Sequence, residues 1–442
     1  MDIQPFADRR TRLLAHMDSL GGGVAILPTA TEKTRNRDAT YPYRGDSYFH
    51  YLTGFPEPEA VLVLMAGNSP KSILFCRDRD PDKEIWDGYR YGPEGARETF
   101  GFDETHSISE LDTKLPELIA NQPSLWHSLG FEPDWDARLG RALNAVRAQS
   151  RAGKRAPSTI HDLRTVLDEM RLIKDGDEIA LMRRAADIAA AAHRRAMQAA
   201  APGRWEYEVE AEFLHEFRRQ GSQFPAYTTI VASGAGACVL HYVNNDRRMR
   251  AGELVLIDAG CELDGYASDI TRTFPVDGRF SGPQEDVYEL VEAAQQAAIA
   301  AIKPGATFMA PHEAAVKVLA QGMIDLKLLH GSVDGVIESE SYKRFYMHRT
   351  SHWLGLDVHD AGEYKTGAAP NDQWRPLTPG MVLTVEPGCY IRAADDVPAV
   401  FHDIGIRIED DALVTPDGCE ILTSAAPKKI ADIEALMRAG KA

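Results

Sequence analysis

Apolar runs alternate with polar, helix-like stretches over the first 170 residues. Three runs have the length and composition of strands: the segment GGGVAILPTA, then Ala60–Met65 and Ser72–Cys76. Strands that are interleaved with helices are typical of a small α/β domain. The pattern therefore predicts an α/β domain over residues 1–171.

A helical pattern follows and is interrupted near Lys174–Asp177. The stretch before it, Gln149–Ser158, is polar, basic and turn-rich, which favours a surface loop. We place the domain boundary near Arg171 and expect the second domain, residues 172–442, to open on a helix from Asp177.

Helices and strand pairs alternate in the second half of the chain. Helices followed by hairpins, twice over, are typical of an α+β domain with a mostly antiparallel sheet. The predicted helices are Glu206–Gln220, Pro283–Ile302 and Pro311–Leu329, and the predicted strand pairs are Leu254–Gly260 with Ser268–Val276 and Val382–Arg392 with Ile404–Thr415.

Composition excludes some classes of function. The 442 residues include 66 acidic and 49 basic ones, and the net charge of -17 argues against a nucleic-acid-binding surface. No apolar run approaches the ~18 residues of a membrane span, and the N-terminus lacks a signal-peptide core. The five cysteines form no CxxC pair, which argues against a thiolate metal site. We expect a cytoplasmic protein with neither a membrane nor a nucleic acid as partner.

Four acidic residues stand inside apolar strand segments of the second half. Asp258 follows LVLI, Asp269 opens DITRTFPV, Glu386 follows MVLTV and Glu409 follows GIRI. Apolar flanks predict burial, and an ionised carboxylate out of water is costly unless a cation compensates it. These acids are therefore candidate metal ligands.

The spacing of the acids favours their convergence. Asp258 and Asp269 are separated by the glycine-containing segment CELDGYA, so a hairpin there would bring both to the same end of neighbouring strands. Strand alternation puts Arg407 on the same face as Glu409, where it would orient that acid or a neighbouring one.

Histidines supply nitrogen ligands near these acids. His348, His352 and His359 lie within MHRTSHWLGLDVHD, and His241 follows the apolar run ACVL. Several carboxylates with one imidazole suit Mn²⁺, Co²⁺ or Zn²⁺, and four carboxylates are more than one such ion needs. Any single acid or histidine of this kind more commonly has a structural role, so spacing alone leaves both interpretations open.

The segments that carry these residues resemble one enzyme group. They are LIDAGCELDGYASDITRTF, SHWLGLDVHD, VLTVEPGCYI and GIRIEDDALVT. Their order and content are similar to the metallopeptidases of the methionine aminopeptidase, prolidase and aminopeptidase P group. The resemblance implies a pita-bread catalytic domain with two divalent metal ions, most readily Mn²⁺, with Co²⁺ or Zn²⁺ as alternatives.

Within this group the bacterial Xaa-Pro aminopeptidases are the closest match, over essentially the whole chain. The N-terminal segments YPYRGDSYFHYLTGFPEPEAVLVL and KEIWDGYRYGPEGA take part, and methionine aminopeptidases lack that domain. The implied activity is release of the first residue from peptides with proline in the second position, by a water or hydroxide that bridges the metals.

The resemblance also implies a role for each site residue. Asp258 would bind one metal, Asp269 and Glu409 would bridge the pair, and His352 and Glu386 would bind the second. Glu386 would also accept the proton of the attacking water.

Other residues would complete the active site. His359 would hydrogen-bond the scissile carbonyl, and His241 and His348 would line the substrate pocket. The resemblance further implies a homodimer or homotetramer and three supporting or substrate-contacting residues, Arg407, Tyr390 and Trp86, the last reaching a neighbouring subunit.

Two alternatives stay open. A prolidase, which cuts Xaa-Pro dipeptides, has the same fold and metals. A non-catalytic pita-bread protein would use the fold for binding, although loss of metal ligands would then be expected. The chain departs from the family in HRTSH, where Arg349 and Thr350 stand in place of smaller or apolar residues.

Overall fold

The computed structural model describes residues 2–440. The chain divides into two compact units, Met1–Met170 and Arg171–Ala442. Each unit has a hydrophobic core of its own. Among the helices of residues 2–440, none has the length and apolar character that a bilayer crossing requires.

The first unit is a six-stranded mixed sheet with helices, in the strand order β4-β3-β2-β1-β5-β6. Its core joins strand residues such as Val63 and Phe75 to Leu115 and Leu139 of two helices. The predicted α/β class is confirmed. The elements are β1 Gly23–Pro28, β2 Val61–Ala66, β3 Lys71–Cys76, β4 Glu104–Ser107, β5 Ser124–Trp126 and β6 Thr159–His161, with α1 Gln4–Ser19, α2 Ser47–Thr53, α3 Pro81–Asp87, α4 Gly92–Phe100, α5 Leu111–Ile119 and α6 Pro133–Arg147.

Two helices follow with a short break between them, as predicted. Helix α7 covers Leu163–Leu172 and helix α8 covers Gly176–Ala199. A capping box starts α8: the Asp175 carboxylate accepts from the backbone N–H of Glu178 at 3.0 Å, and the Glu178 carboxylate accepts from that of Asp175 at 2.9 Å. These bonds satisfy N–H groups that would otherwise lack partners at the helix start.

The second unit packs its helices against small antiparallel sheets. Its core cluster joins Ala189, Phe213 and Val291 of the helices to Val255 and Ile406 of the strands. The remaining elements are α9 Glu206–Arg219, α10 Gly282–Ala301, α11 Ala310–Asp325, α12 Val333–Glu338 and α13 Ile430–Ala439, with β7 Phe224–Pro225, β8 Ile230–Ser233, β9 Leu254–Asp258, β10 Cys261–Leu263, β11 Tyr266–Ala267, β12 Thr271–Pro275, β13 Lys365–Thr366, β14 Gln373–Trp374, β15 Val382–Val385, β16 Gly388–Ile391, β17 Ile404–Arg407, β18 Asp410–Thr415 and β19 Gly418–Ile421.

The sheets follow the predicted pairing with one difference. Strand β9 lies between β8 and β12, antiparallel to both. Each of the two long C-terminal segments, however, is two strands, so β15 pairs with β18 and β16 with β17. The breaks fall at Glu386–Pro387 and at Ile408–Glu409, where both acids leave the sheet. In the first break, Pro387 also has no N–H to donate to the ladder.

A glycine permits the close approach of the two chain segments that carry Asp258 and Asp269. Ala259 N–H donates to the Ile270 carbonyl at 3.0 Å, next to Gly260. A Cβ built on Gly260 would overlap the carbonyl of Ser268, so only glycine fits there.

Substitution of Gly260 is expected to destabilise the second unit. Gly260→Ala should lower the unfolding free energy by about 1–3 kcal/mol, because the new methyl group must push two backbone segments apart. Chemical denaturation checks this, with Gly176→Ala as the matched control, since a Cβ at Gly176 meets nothing within 4 Å. Equal stability of both variants would contradict the close approach.

Candidate metal centre

The four acids that the sequence analysis selected lie at strand ends around one cavity. Asp258 ends β9, Asp269 precedes β12, Glu386 follows β15 and Glu409 stands between β17 and β18. The cavity has a volume of about 680 Å³, and all four acids line it together with His352.

A strand-like alignment places His352 beside Glu386. The backbone N–H of Glu386 donates to the Thr350 carbonyl at 2.8 Å, and that of Thr384 donates to the His352 carbonyl at 2.9 Å. The segment with the histidine therefore runs along β15, and two residues 34 positions apart reach the same cavity wall.

Three of the predicted ligands form a compact group. Asp269, His352 and Glu409 each offer one ligand atom, and these atoms lie within 4.8 Å of one another. His352 Nε2 is 3.5 Å from a carboxylate oxygen of Asp269 and 3.7 Å from one of Glu386. His352 Nδ1 donates to the Trp353 carbonyl at 2.9 Å, because a carbonyl can only accept, and this leaves Nε2 facing the acids.

Tyr227 links two of the acids and was not predicted. Its hydroxyl is 2.6 Å from Asp258 Oδ1 and 2.5 Å from Asp269 Oδ1. Burial and the charges of both aspartates hold the pKa of Tyr227 well above its usual range, so the hydroxyl keeps its proton. The sequence gives no signal for this contact, since the acids are 31 and 42 residues away.

Arg407 connects Asp258 to a third acid, Glu409. Its guanidinium donates to Asp258 Oδ2 at 2.6 Å and to the Thr271 hydroxyl at 3.0 Å. That hydroxyl donates to Glu409 at 2.6 Å, so Arg407 orients Asp258 directly and Glu409 through Thr271. Thr271 carries no sequence signal of this role.

Asp411 is a further acid beside the group that the sequence analysis missed. One of its oxygens accepts from the backbone N–H of Asp269 at 3.2 Å, while the other is buried without a hydrogen-bond partner in residues 2–440. Burial and the charge of Asp269 hold the pKa of Asp411 well above its usual range. Acidic groups are thus crowded around Asp269.

The acids of the cavity resist ionisation in the absence of a cation. Burial, followed by the charges of Asp269 and Glu386, holds the pKa of Glu409 well above its usual range. Burial also raises the pKa of Asp269, and raises that of Glu386 to about 7. For His352, burial opposes the charged form, but the hydrogen bond that the ring donates to Asp269 and the charges of the nearby carboxylates outweigh it and raise the pKa to about 9.

These residues fit divalent cations. Carboxylate oxygens and one imidazole nitrogen are the donors that Mn²⁺, Co²⁺ and Zn²⁺ accept, and a dication would replace the protons that the crowded acids otherwise retain. One oxygen of Asp411 is buried without a hydrogen-bond partner in residues 2–440, so protein donors alone do not pair every acidic oxygen near the cavity.

The three predicted histidines outside the compact group all lie at the cavity. His241, His348 and His359 line the cavity. The His359 ring lies 4.1 Å from that of His352, and burial lowers the pKa of His359 to about 4. Burial also lowers the pKa of His348 to about 3, so both rings are neutral near pH 7.

Hydrogen bonds fix the His348 ring and connect it to Arg407. His348 Nδ1 donates to the Arg349 carbonyl at 2.8 Å, and Nε2 accepts from the Tyr390 hydroxyl at 2.8 Å. The same hydroxyl accepts from Arg407 at 3.0 Å. Tyr390 therefore lies behind the cavity wall, between His348 and Arg407.

Trp86 belongs to the first unit, on helix α3. Its side chain is 87% exposed, and Ile85 and Tyr89 beside it are also largely exposed. The structure thus presents a small apolar surface there.

The chain belongs to the family described as metallopeptidase family M24, whose model matches residues 180–416. A second model, described as the aminopeptidase P N-terminal domain, matches residues 6–126. The predicted pita-bread fold of the second unit, the hydrolase class and a divalent-metal cofactor are thereby confirmed.

Similar proteins cover the whole chain. The Xaa-Pro aminopeptidase of Haemophilus influenzae is 47% identical to this chain, over 98% of this chain and 97% of its own length. The Xaa-Pro aminopeptidase of Escherichia coli is 45% identical, over 99% of this chain and 98% of its own length. Among solved structures, an aminopeptidase of Pseudomonas aeruginosa has a TM-score of 0.97 at 48% identity, covering 100% of this chain and 99% of its own. A Glu-to-Ala variant of Escherichia coli aminopeptidase P in complex with substrate has a TM-score of 0.96 at 44% identity, with the same coverage.

Metal binding is expected to stabilise the protein more at high pH than at low pH. The raised pKa values of Glu386 and His352 favour the folded, metal-free protein below their unfolded values of about 4.3 and 6.5, and this advantage is lost as the pH rises through about 7 and 9. Protons also compete with the metal for these ligands.

Thermal unfolding of chelator-treated protein with and without Mn²⁺ checks this expectation. A 100-fold excess of free metal over its Kd should add about 2.7 kcal/mol of stability. The gain at a fixed metal concentration should be greater at about pH 8 than at about pH 5.5. An equal gain at both would contradict the assignment of these groups as ligands.

Removal of either acid of the compact group should weaken metal binding. Asp269→Ala or Glu409→Ala is expected to lower metal affinity by at least about 100-fold and to abolish turnover, while the fold survives. Metal content per chain and far-UV circular dichroism are the measurements. The exposed Asp286 provides the control variant Asp286→Ala, and wild-type metal content in both ligand variants would rule out their role.

Proposed function

We propose that this chain is a metal-dependent exopeptidase that releases the first residue from peptides with proline in the second position. The convergence of four acids and His352 on one cavity carries the proposal, because it provides the ligands of a hydrolytic metal centre. Full-length similarity to Xaa-Pro aminopeptidases, including the N-terminal domain, favours this activity over that of a prolidase.

These five side chains would hold two divalent ions, most readily Mn²⁺. Asp258 would serve one ion, His352 and Glu386 the other, and Asp269 and Glu409 would contribute to both. The pair of ions supplies Lewis acidity and a water of lowered pKa when bound. Arg407 and Tyr227 support the arrangement, because each holds a carboxylate oxygen of Asp258 in place.

Glu386 is the proton acceptor of the reaction. Its carboxylate lines the cavity beside His352, with one oxygen 3.7 Å from Nε2, where it can take up a proton and give it back. The Glu386 carboxylate takes the proton of the attacking water as the new C–O bond forms. It then returns a proton to the proline nitrogen as the C–N bond breaks.

His359 donates a hydrogen bond to the scissile carbonyl. The ring is neutral near pH 7, so it has one N–H to donate, and it lines the cavity beside His352. A donor directed at the carbonyl oxygen stabilises the negative charge that develops there. His241 and His348 form the substrate-facing wall, with Tyr390 behind His348.

A proline in the second position fits such a site. Its nitrogen is part of a tertiary amide, so it has no N–H to pair with a neighbouring strand. A cavity that depends on acids and histidines does not need that donor, and the free amine of the first residue meets acidic ligands. Both features favour an exopeptidase for Xaa-Pro bonds.

The proposal includes a homodimer or homotetramer in the cytoplasm. Trp86 and its exposed apolar neighbours on the first unit support a subunit contact, through which Trp86 would reach a neighbouring active site. All five cysteines are free thiols, as a reducing compartment favours.

The expected activity is rapid cleavage of tripeptides and slow cleavage of dipeptides. Chelator-treated protein should be inactive, and added Mn²⁺ should restore release of the first residue from Xaa-Pro-Yaa peptides. The rate on these should exceed that on Xaa-Pro dipeptides by at least about 10-fold, a barrier difference of about 1.4 kcal/mol.

Peptides with alanine in place of proline serve as the substrate control. The reverse preference, for dipeptides, would make the chain a prolidase with the same metal centre. Absence of cleavage of every proline peptide with Mn²⁺, Co²⁺ and Zn²⁺ would overturn the proposed function.

A further inference from the structure

One cation on the wall of the active-site cavity has no task in the reaction. Arg349 lines the cavity and is exposed to it, and within residues 2–440 it forms no ion pair with a carboxylate. The other arginine of the cavity, Arg407, is committed to Asp258 at 2.6 Å. Arg349 is therefore the cavity cation that is available to a ligand.

Its guanidinium is held against an aromatic ring. The central carbon of the Arg349 guanidinium lies 5.3 Å from the centre of the Trp374 ring. Trp374 belongs to the hairpin of β13 and β14, which pairs it with Lys365. This cation–π contact orients the guanidinium and leaves its N–H groups for a further acceptor.

A second cation touches the same ring but is already neutralised. Lys365 Nζ lies 5.2 Å from the centre of the Trp374 ring, and it forms an ion pair with Asp372 at 2.8 Å. Lys365 thus resembles Arg349 in charge and in aromatic contact but differs in having an anionic partner. It provides a matched control position.

Both chain neighbours of Arg349 are anchored. His348 donates to the Arg349 carbonyl at 2.8 Å, and the buried Thr350 hydroxyl lies 2.9 Å from His312 Nδ1 and 2.6 Å from the Tyr346 hydroxyl. The backbone of Arg349 is therefore fixed, and its side chain lines the cavity from a defined position.

We propose that Arg349 is a specificity-determining residue that binds a substrate carboxylate located beyond the proline. The carboxylate is either the C-terminus of a tripeptide or an acidic side chain in the third position. This inference rests on the proposed function, which places the first residue of the peptide at the acid ligands.

Size and charge support this assignment. An extended tripeptide spans at most about 11 Å, and a cavity of about 680 Å³ is of the size that holds such a ligand. The free amine is drawn to the acids around the metal centre, whereas a carboxylate needs a cation. The planar guanidinium of Arg349 offers two parallel N–H donors to it.

The test compares wild type with Arg349→Gln, Arg349→Lys and the control Lys365→Gln, each loaded with Mn²⁺. One substrate pair is Ala-Pro-Ala as free acid and as C-terminal amide. The other is Ala-Pro-Glu-Ala amide and Ala-Pro-Gln-Ala amide. The first pair reports on the C-terminal carboxylate, and the second on an acidic side chain.

Arg349→Gln should lower kcat/KM about 5–10-fold on a carboxylate peptide, mainly through KM, and less than about twofold on its neutral counterpart. Arg349→Lys should retain part of the preference, and Lys365→Gln all of it. The wild-type preference should also weaken as the salt concentration rises, because the contact is partly exposed. If Arg349→Gln weakens the preference for the carboxylate peptide in the first pair only, the bound group is the C-terminus. If it does so in the second pair only, the bound group is an acidic side chain.

Two results would overturn the inference while the proposed function stands. One is an equal loss on acidic and neutral peptides, which would mark Arg349 as structural. The other is an unchanged preference in Arg349→Gln. Failure of the wild type to cleave any of the four peptides would instead overturn the proposed function, and the inference with it.

Discussion

Crowding of negative charge in one partly enclosed cavity is the constraint on which the site depends. Glu386, Glu409 and Asp269 have pKa values above their usual ranges, since burial and mutual repulsion both oppose ionisation. Arg407 compensates Asp258 and, through Thr271, orients Glu409. The remaining negative charge is compensated by divalent cations, which proteins of this metallopeptidase family bind.

The sheets of the second unit are interrupted where two of the acids reach the cavity. Two strand breaks, at Glu386–Pro387 and Ile408–Glu409, turn both acids out of their ladders and towards the cavity. The neighbouring residues Ile406 and Ile408 remain fully buried in the core. Stability and chemistry are thus divided between alternate residues of the same segments, as strand geometry allows.

Metal ligands and specificity depend on different parts of the cavity. The four acids proposed as ligands lie at strand ends that the hydrophobic core fixes, whereas Arg349 and Trp374 lie on a loop and in a two-stranded hairpin. A change in such a wall alters which peptide binds without changing the centre that cleaves it. Departures from the family pattern, such as Arg349, are therefore informative about substrate preference.

The sequence by itself determined the two fold classes, the break before α8 and the selection of the buried acids, because apolar periodicity and charges inside apolar strands are local signals. It did not reveal Tyr227 or Asp411, whose contacts with Asp269 join residues that are 42 and 142 positions apart. It also did not show that Lys365 is neutralised by Asp372, whereas Arg349 has no anionic partner within residues 2–440. Those properties are decided by which side chains the tertiary structure brings within hydrogen-bonding distance, and no local pattern records that.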